Sequence, residues 1–364
     1  MSISRLLPVI PLFFLIGCAT APEPAATPKA AIKPIELSKA GKNKSLEDKN
    51  AIDPDVMFLL LTAEIAGQRG QYDVAMEGYL EAAKRVHDPR LTERAAMIAM
   101  YMRDPTKTNE AVSLWVKQDP SNLSARKIAA LSALKSGNKE QTLKQLEELL
   151  KRDPAGFEKT LFELTGAKQK EDNIPLIYDA LEALTIKNPN QASIPFIQSL
   201  LAADMKNKGL AESKIAQALR LQPDWDKALM LQAQMAAYAN DYKRSEALLR
   251  NAALKYPENQ KFKKMLAQVL IKSAKYEEAG EVFEKLYAND PTDYESQFSL
   301  GLVDLQLDRD DKAEDIFKQL QTKSDWSTQA SFYLGKLEEK HGSTESALIW
   351  FDKVTDGPFQ FESA

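Results

Sequence analysis

The sequence predicts an all-α solenoid, a stack of helical hairpins. Two observations carry that reading. Prolines 120, 154, 189, 223, 257 and 291 recur at intervals of 34 or 35 residues, and a proline can neither continue a helix nor leave its predecessor helical. Between these stops, small and large apolar residues return at fixed offsets, the sign of one supersecondary unit copied many times. The 364-residue chain is otherwise helix-rich in composition and poor in strand signals.

The first element is Met1 to Gly17. A basic start ending at Arg5 precedes a mostly apolar run from Leu6 to Ile16, interrupted by Pro8 and Pro11. The run is too short to span a bilayer as a helix, and it reads as an export signal over residues 1–17. It ends in Leu15-Ile16-Gly17-Cys18, which holds the chain's single cysteine. In this region the chain resembles a bacterial lipoprotein precursor. The resemblance implies cleavage after Gly17, acylation of Cys18 by several fatty chains, and stable anchoring by them. Ala19, rather than an aspartate, follows the cysteine; the resemblance then implies the outer membrane, with the soluble part in the periplasm. A cysteine used for lipid leaves none for a disulfide.

Residues 18–50 form the second element, a flexible tether. Pro22, Pro24, Pro28 and Pro34 lie among alanines and polar residues, and such a stretch buries too little apolar surface to offset its ordering entropy. Six lysines (29, 33, 39, 42, 44 and 49) against four acids (23, 36, 47 and 48) suit either a solvated leash or light contact with anionic headgroups. A short helix around Ile35 to Leu46, formed against a partner, is a further reading.

Residues 51–364 are the solenoid. About nine units follow one another: 56–89, 90–120, 123–154, 158–189, 192–223, 226–257, 260–291, 294–325 and 328–361. Ala233, Tyr242, Leu249 and Ala252 precede Pro257; Ala267, Tyr276, Ala279, Phe283 and Leu286 precede Pro291. Gly301, Ala313, Phe317 and Leu320 hold the same places in the next unit, and Gly335, Ala347 and Phe351 in the last. The first unit has Ala63, Gly70, Tyr72, Ala75, Tyr79 and Ala82. A small residue in the first helix lets the second approach, a small residue in the second lets the next unit dock, and the aromatic fills the space between. One pair cannot bury its apolar face alone, so the units stack. The second unit is short, and the fourth departs most, with Pro175 near the turn between its helices.

These residues and their spacing resemble the tetratricopeptide repeat (TPR) family, although most units lack the tryptophan the family favours early in the first helix. The resemblance covers about 56–361 and implies a right-handed superhelical solenoid of TPR helical hairpins. Such arrays end in a polar cap. Phe359-Gln360-Phe361-Glu362-Ser363-Ala364 supplies none, so the expectation is that the natural protein continues.

Nothing in the pattern points to catalysis, a metal or a cofactor. His87 and His341, the two histidines, lie in units far apart and read as loop polars. No free thiol remains, and no glycine-rich loop follows a strand. Asp308-Arg309-Asp310-Asp311 lacks calcium-loop spacing and suits a helix start. A net charge of -4 argues against nucleic acid.

The TPR resemblance implies that first helices line a binding groove at offsets 2, 5, 9 and 12 of each unit. Those offsets hold Phe196, Leu200, Lys227, Met230, Gln234, Lys261, Lys264 and Gln268. Further on they hold Phe298, Leu302, Leu305 and Phe332. Phe298, Leu302 and Leu305 make one apolar stripe, suited either to an extended or helical polypeptide or to filling space between flanking helices. Lys227, Lys261 and Lys264 would steer an acidic segment.

A narrower resemblance rests on Gln68-Arg69-Gly70-Gln71-Tyr72-Asp73-Val74-Ala75, on Tyr79-Leu80-Glu81-Ala82-Ala83 and on Asp88-Pro89-Arg90-Leu91-Thr92-Glu93-Arg94-Ala95. These are similar to the opening repeats of proteobacterial TPR lipoproteins that act as adaptors of a periplasmic carboxyl-terminal-processing protease. The resemblance implies a scaffold anchored at Cys18 that binds the protease and presents peptidoglycan hydrolases for degradation. Two other readings stand beside it: an assembly scaffold for polysaccharide export or outer-membrane protein insertion, and an architectural lipoprotein bridging membrane and cell wall.

Overall fold

The computed structural model describes residues 53–166 and 173–354. Cys18, the tether and the closing Phe359 to Ala364 lie outside the described residues. Among those described there are eighteen helices and no strand. The first three hairpins are α1 (Pro54–Gln68) with α2 (Tyr72–Val86), α3 (Pro89–Tyr101) with α4 (Pro105–Gln118), and α5 (Leu123–Lys135) with α6 (Lys139–Arg152). The fourth holds α7 (Phe157–Gly166) and α8 (Asn173–Lys187), and the fifth α9 (Ser193–Asp204) and α10 (Lys208–Leu221). Then come α11 (Asp226–Tyr238) with α12 (Tyr242–Lys255), and α13 (Gln260–Lys272) with α14 (Tyr276–Asn289). The last two are α15 (Tyr294–Gln306) with α16 (Asp310–Gln321), and α17 (Ser327–Lys340) with α18 (Thr344–Phe351). Packing divides them into two compact units, α1–α10 up to Leu221 and α11–α18 from Gln222.

Local chemistry sets the helix ends. The Asp53, Asp88 and Asp104 carboxylates accept hydrogen bonds from backbone N–H groups of the following helix, and a proline opens each of α1, α3 and α4. Proline suits that place because the N–H it lacks has no partner in a helix start. Pro89 therefore begins the second hairpin rather than closing the first. Prolines 120, 154, 189, 223, 257 and 291 all fall in the turns between hairpins.

The turn within a hairpin repeats too. One residue per turn takes a left-handed conformation: Gly70, Arg103, Gly137, Lys206, Asn240, Ala274, Asp308 and Gly342. The next residue's N–H then reaches back to a carbonyl five positions earlier, as Asn138 does to Ala133 (2.9 Å), Asp241 to Ala236 (2.9 Å) and Lys275 to Leu270 (2.9 Å). This is a Schellman motif, which satisfies carbonyls that the helix end leaves open.

The residues that recur in the sequence are the ones the hairpins bury. Ala233, Leu249, Ala267, Ala279, Phe283, Ala313, Phe317 and Leu320 are all core. A Cβ on Gly301 would stand 2.9 Å from the Phe317 ring, so only glycine lets α15 approach that closely. Burying a ring such as Phe317 stabilises by about 1.5–3 kcal/mol. In the first unit the corresponding cluster holds Met76, Tyr79, Leu80, Leu91, Val112 and Trp115.

The fourth hairpin departs from the pattern. Helix α8 packs on α6 and α9, while α7 touches α5 and α9. Pro175 sits in the first turn of α8, where proline is tolerated.

Candidate protein-binding surfaces

The second unit receives most of the expected groove residues, and packing has taken several of them. Phe298, Leu302 and Leu305 are half-buried against a core of Phe317, Leu320, Leu334 and their neighbours. The Phe298 ring meets Phe317 edge-on at 5.7 Å, Trp326 at 5.2 Å and Tyr333 at 5.6 Å. Of the two readings left open for this stripe, the geometry gives space-filling between α15, α16 and α17 the larger share.

Two expected groove residues are corrected outright. Phe332 is 1% exposed; it packs edge-on to Tyr333 and tilted against Phe351 of α18, so it plugs its own hairpin. In the first unit Phe196 is 4% exposed, with the Phe162 ring of α7 edge-on at 5.8 Å. The displaced fourth hairpin lays α7 over α9 and covers it.

The lysines divide likewise. Lys264 is half-buried and bound to Asp293 (2.8 Å) and Glu295 (3.1 Å) of the next hairpin. Burial works against its charge, but the two carboxylates outweigh burial and raise its pKa. It is an internal tie rather than a steering charge. Lys227 and Lys261 are exposed, and Met230, Gln234, Gln268 and Leu200 half-buried.

His87 occupies the left-handed C-cap of α2. His341 follows α17, with Nε2 3.1 Å from Asp310. Lys340 also reaches Asp308 (3.1 Å) and Asp310 (2.8 Å). The acidic run 308–311 is thus a turn and helix start tied to the next hairpin. Among the described residues no cluster of three potential metal ligands occurs, and no helix is long and apolar enough to cross a membrane.

Several large exposed apolar side chains lie elsewhere, on α1 and α3; others, such as Ile186 of α8 and Leu254 of α12, stand on second helices. Met57, Phe58, Leu61 and Ile65 project from α1, with Phe58 69% exposed. Met97, Met100 and Tyr101 project from α3, with Tyr101 67% exposed. Arg94 of α3 binds Glu64 of α1 at 3.0 Å, which ties the two helices. Leu61 and Met97 each stand one turn from that ion pair, on its helix face. The groove offsets passed over this region. The available signal was α1 itself, apolar on every side in Pro54–Gln68, a pattern that needs cover on all its faces.

A second feature of the first unit is a cleft of about 650 Å³ between α4, α5 and α6. Its floor includes Arg126, Ala129 and Ala133 of α5, and its walls carry polar residues of α4 and α6.

Hairpins of this length, turn and packing define a helical-repeat scaffold. Residues 230–294 and 264–327 match the model of the family described as tetratricopeptide repeat. A TPR repeat-containing protein of Pseudomonas aeruginosa is 29% identical over 171 residues, which span 46% of this chain and 28% of that protein. Three solved structures are similar at low identity. MamA (41-end) of Desulfovibrio magneticus RS-1 is 18% identical, covering 45% of this chain and 92% of that one at a TM-score of 0.41. YrrB, described as a TPR protein with an unusual peptide-binding site, is 19% identical, covering 51% and 96% at 0.42. Yeast Tom70 is 14% identical, covering 82% and 75% at 0.39.

Proposed function

We propose that this chain is a membrane-anchored periplasmic adaptor, which binds a carboxyl-terminal-processing protease and brings peptidoglycan hydrolases to it for degradation. The coarser part, a protein-binding scaffold, is supported by the TPR hairpins and by the family match. The observation that carries the reading is the exposed apolar surface of α1 and α3, with Phe58 and Tyr101 at its two ends. Exposed patches of this kind mark interaction sites, and methionines there adapt to more than one partner.

The finer part rests on the sequence. The opening repeats resemble those of protease-adaptor lipoproteins, and Leu15-Ile16-Gly17-Cys18 reads as a lipid-attachment site. Anchoring protease and substrate on one scaffold raises their effective concentration, so a weakly bound hydrolase meets its protease more often. The scaffold itself supplies no reacting group in this scheme.

The test is a pull-down from detergent-solubilised envelopes, using the full chain with Cys18 intact. Recovery of a carboxyl-terminal-processing protease together with a cell-wall hydrolase is the expected result, followed by faster hydrolase degradation when the lipoprotein is added to the purified pair. Recovery of export or insertion machinery without a protease overturns the reading and favours an assembly scaffold.

A further inference from the structure

The cleft between α4, α5 and α6 is walled by polar side chains at helical spacing. Asn109, Ser113 and Lys117 follow at i, i+4 and i+8 along α4; Gln141, Lys144 and Glu148 follow at i, i+3 and i+7 along α6. Such spacings keep each set on one face of its helix. Ala129 and Ala133 of α5 open space beneath them. The volume, about 650 Å³, is that of a ligand-sized cleft.

The charges in the cleft are unbalanced. Arg126 is 6% exposed, with Nε donating to the Pro120 carbonyl (2.8 Å) and Nη1 to Gln145 (3.1 Å). Its one carboxylate partner, Glu148, lies at 3.4 Å and is shared with Arg152. Lys117 and Lys144 add two cations that have no ion-pair partner among the described residues. Other lysines on the same helices are tied to adjacent hairpins: Lys107 to Asp73 and Glu77, and Lys139 to Asp179.

We propose that this cleft holds an acidic, extended stretch of polypeptide, its carboxylates against Lys117 and Lys144 and its backbone amides against Asn109 and Gln141. Amide side chains donate and accept, as a peptide backbone requires. No aromatic ring lines the cleft, so it lacks the stacking platform used for single-stranded nucleic acid. The site lies apart from the apolar face of α1 and α3, and it gives the scaffold a second, charge-selective contact. The proposal rests on the adaptor reading only in taking the ligand to be protein.

The experiment uses the full chain in detergent with a fluorescent glutamate–serine peptide and its glutamine–serine counterpart, followed by anisotropy. The expected result is saturable binding of the glutamate peptide alone. K117E/K144E weakens it by about tenfold or more, because reversed rim charges repel the same ligand. S113W, which fills the cleft without changing charge, weakens it as well. K243E/K285E, at exposed lysines of the second unit, leaves it unchanged. Circular dichroism verifies that each variant is folded. Absence of binding, an equal loss in K243E/K285E, or full binding by S113W overturns the proposal. A pull-down without a protease leaves this measurement standing, since it uses a purified chain and a defined peptide.

Discussion

Two regions use large apolar residues of first helices in opposite ways: α15 and α17 in the second compact unit, and α1 and α3 in the first. In the second unit Phe298 and Phe332 are absorbed between helices, one half-buried among three rings and the other fully covered. In the first unit Phe58, Leu61, Met97 and Tyr101 remain exposed. The same residue type on the same helix of a hairpin is a spacer in one place and open surface in the other. What differs is the neighbour: Trp326 and Tyr333 give Phe298 partners, and nothing among the described residues covers Phe58. Hydrophobicity at a groove offset therefore does not identify a docking surface; exposure does.

The comparison breaks most visibly at Phe317. Phe317→Ala removes the ring that fills the space beside Gly301 and against Phe298 and Tyr333, at a cost of about 3–5 kcal/mol. Urea titration followed by circular dichroism should show an early transition for the second unit, with the first unit's transition in place. Phe58→Ser with Met97→Ser tests the other side. Both residues are exposed, so stability should change by no more than about 0.5 kcal/mol, while capture of the envelope partner falls about tenfold, near 1.4 kcal/mol. Unaltered capture would remove the α1 and α3 surface from the adaptor reading.

A smaller effect is expected at Asp304. Burial pushes its carboxyl pKa above the ordinary value, against the opposing pull of Arg309 at 3.4 Å. The folded state then holds the proton more tightly than the unfolded chain, so stability falls as pH rises from the unfolded to the folded pKa. Asp304→Asn should accordingly stabilise by about 1 kcal/mol at neutral pH, with the gain vanishing below the ordinary aspartate range. A thermal melt series against pH reads it directly, and a gain that persists in acid would exclude the charge as its cause. Effects of similar or smaller size belong to the turns. Ala274 holds φ 56, a strain on a residue with a Cβ, so Ala274→Gly should stabilise by about 0.5 kcal/mol. Gly137→Ala, at φ 73, should destabilise by about 1 kcal/mol.

Much of the fold was legible because it is periodic. Proline spacing located the turns between hairpins, and Ala233, Ala267, Gly301 and Phe317 stood out by recurrence before their burial was known. Periodicity failed where the period does. The fourth hairpin, with α8 on α6 and α7 over α9, buries Phe196 in a way no offset indicates. The binding surfaces were less legible for a related reason. An offset says where a side chain leaves its helix, while its cover depends on the size of residues one hairpin away, such as Trp326 over Phe298. The cleft of α4 to α6 depends on what Ala129 and Ala133 leave empty, and empty space has no letter in a sequence.

The left-handed turn residues have one more consequence. Asn240, Ala274, Asp308 and Gly342 stand at the same place in successive hairpins, so the interval between them acts as a unit of length for the polypeptide. Removing residues 241–274 would join Asn240 to Lys275 and leave every later turn, capping residue and small-to-large contact in phase. Losing a single residue there would rotate the following helix by about 100° and aim its apolar face at water. Viable descendants of this chain are therefore expected to grow and shrink in whole hairpins, so that its size is quantised as its helices are.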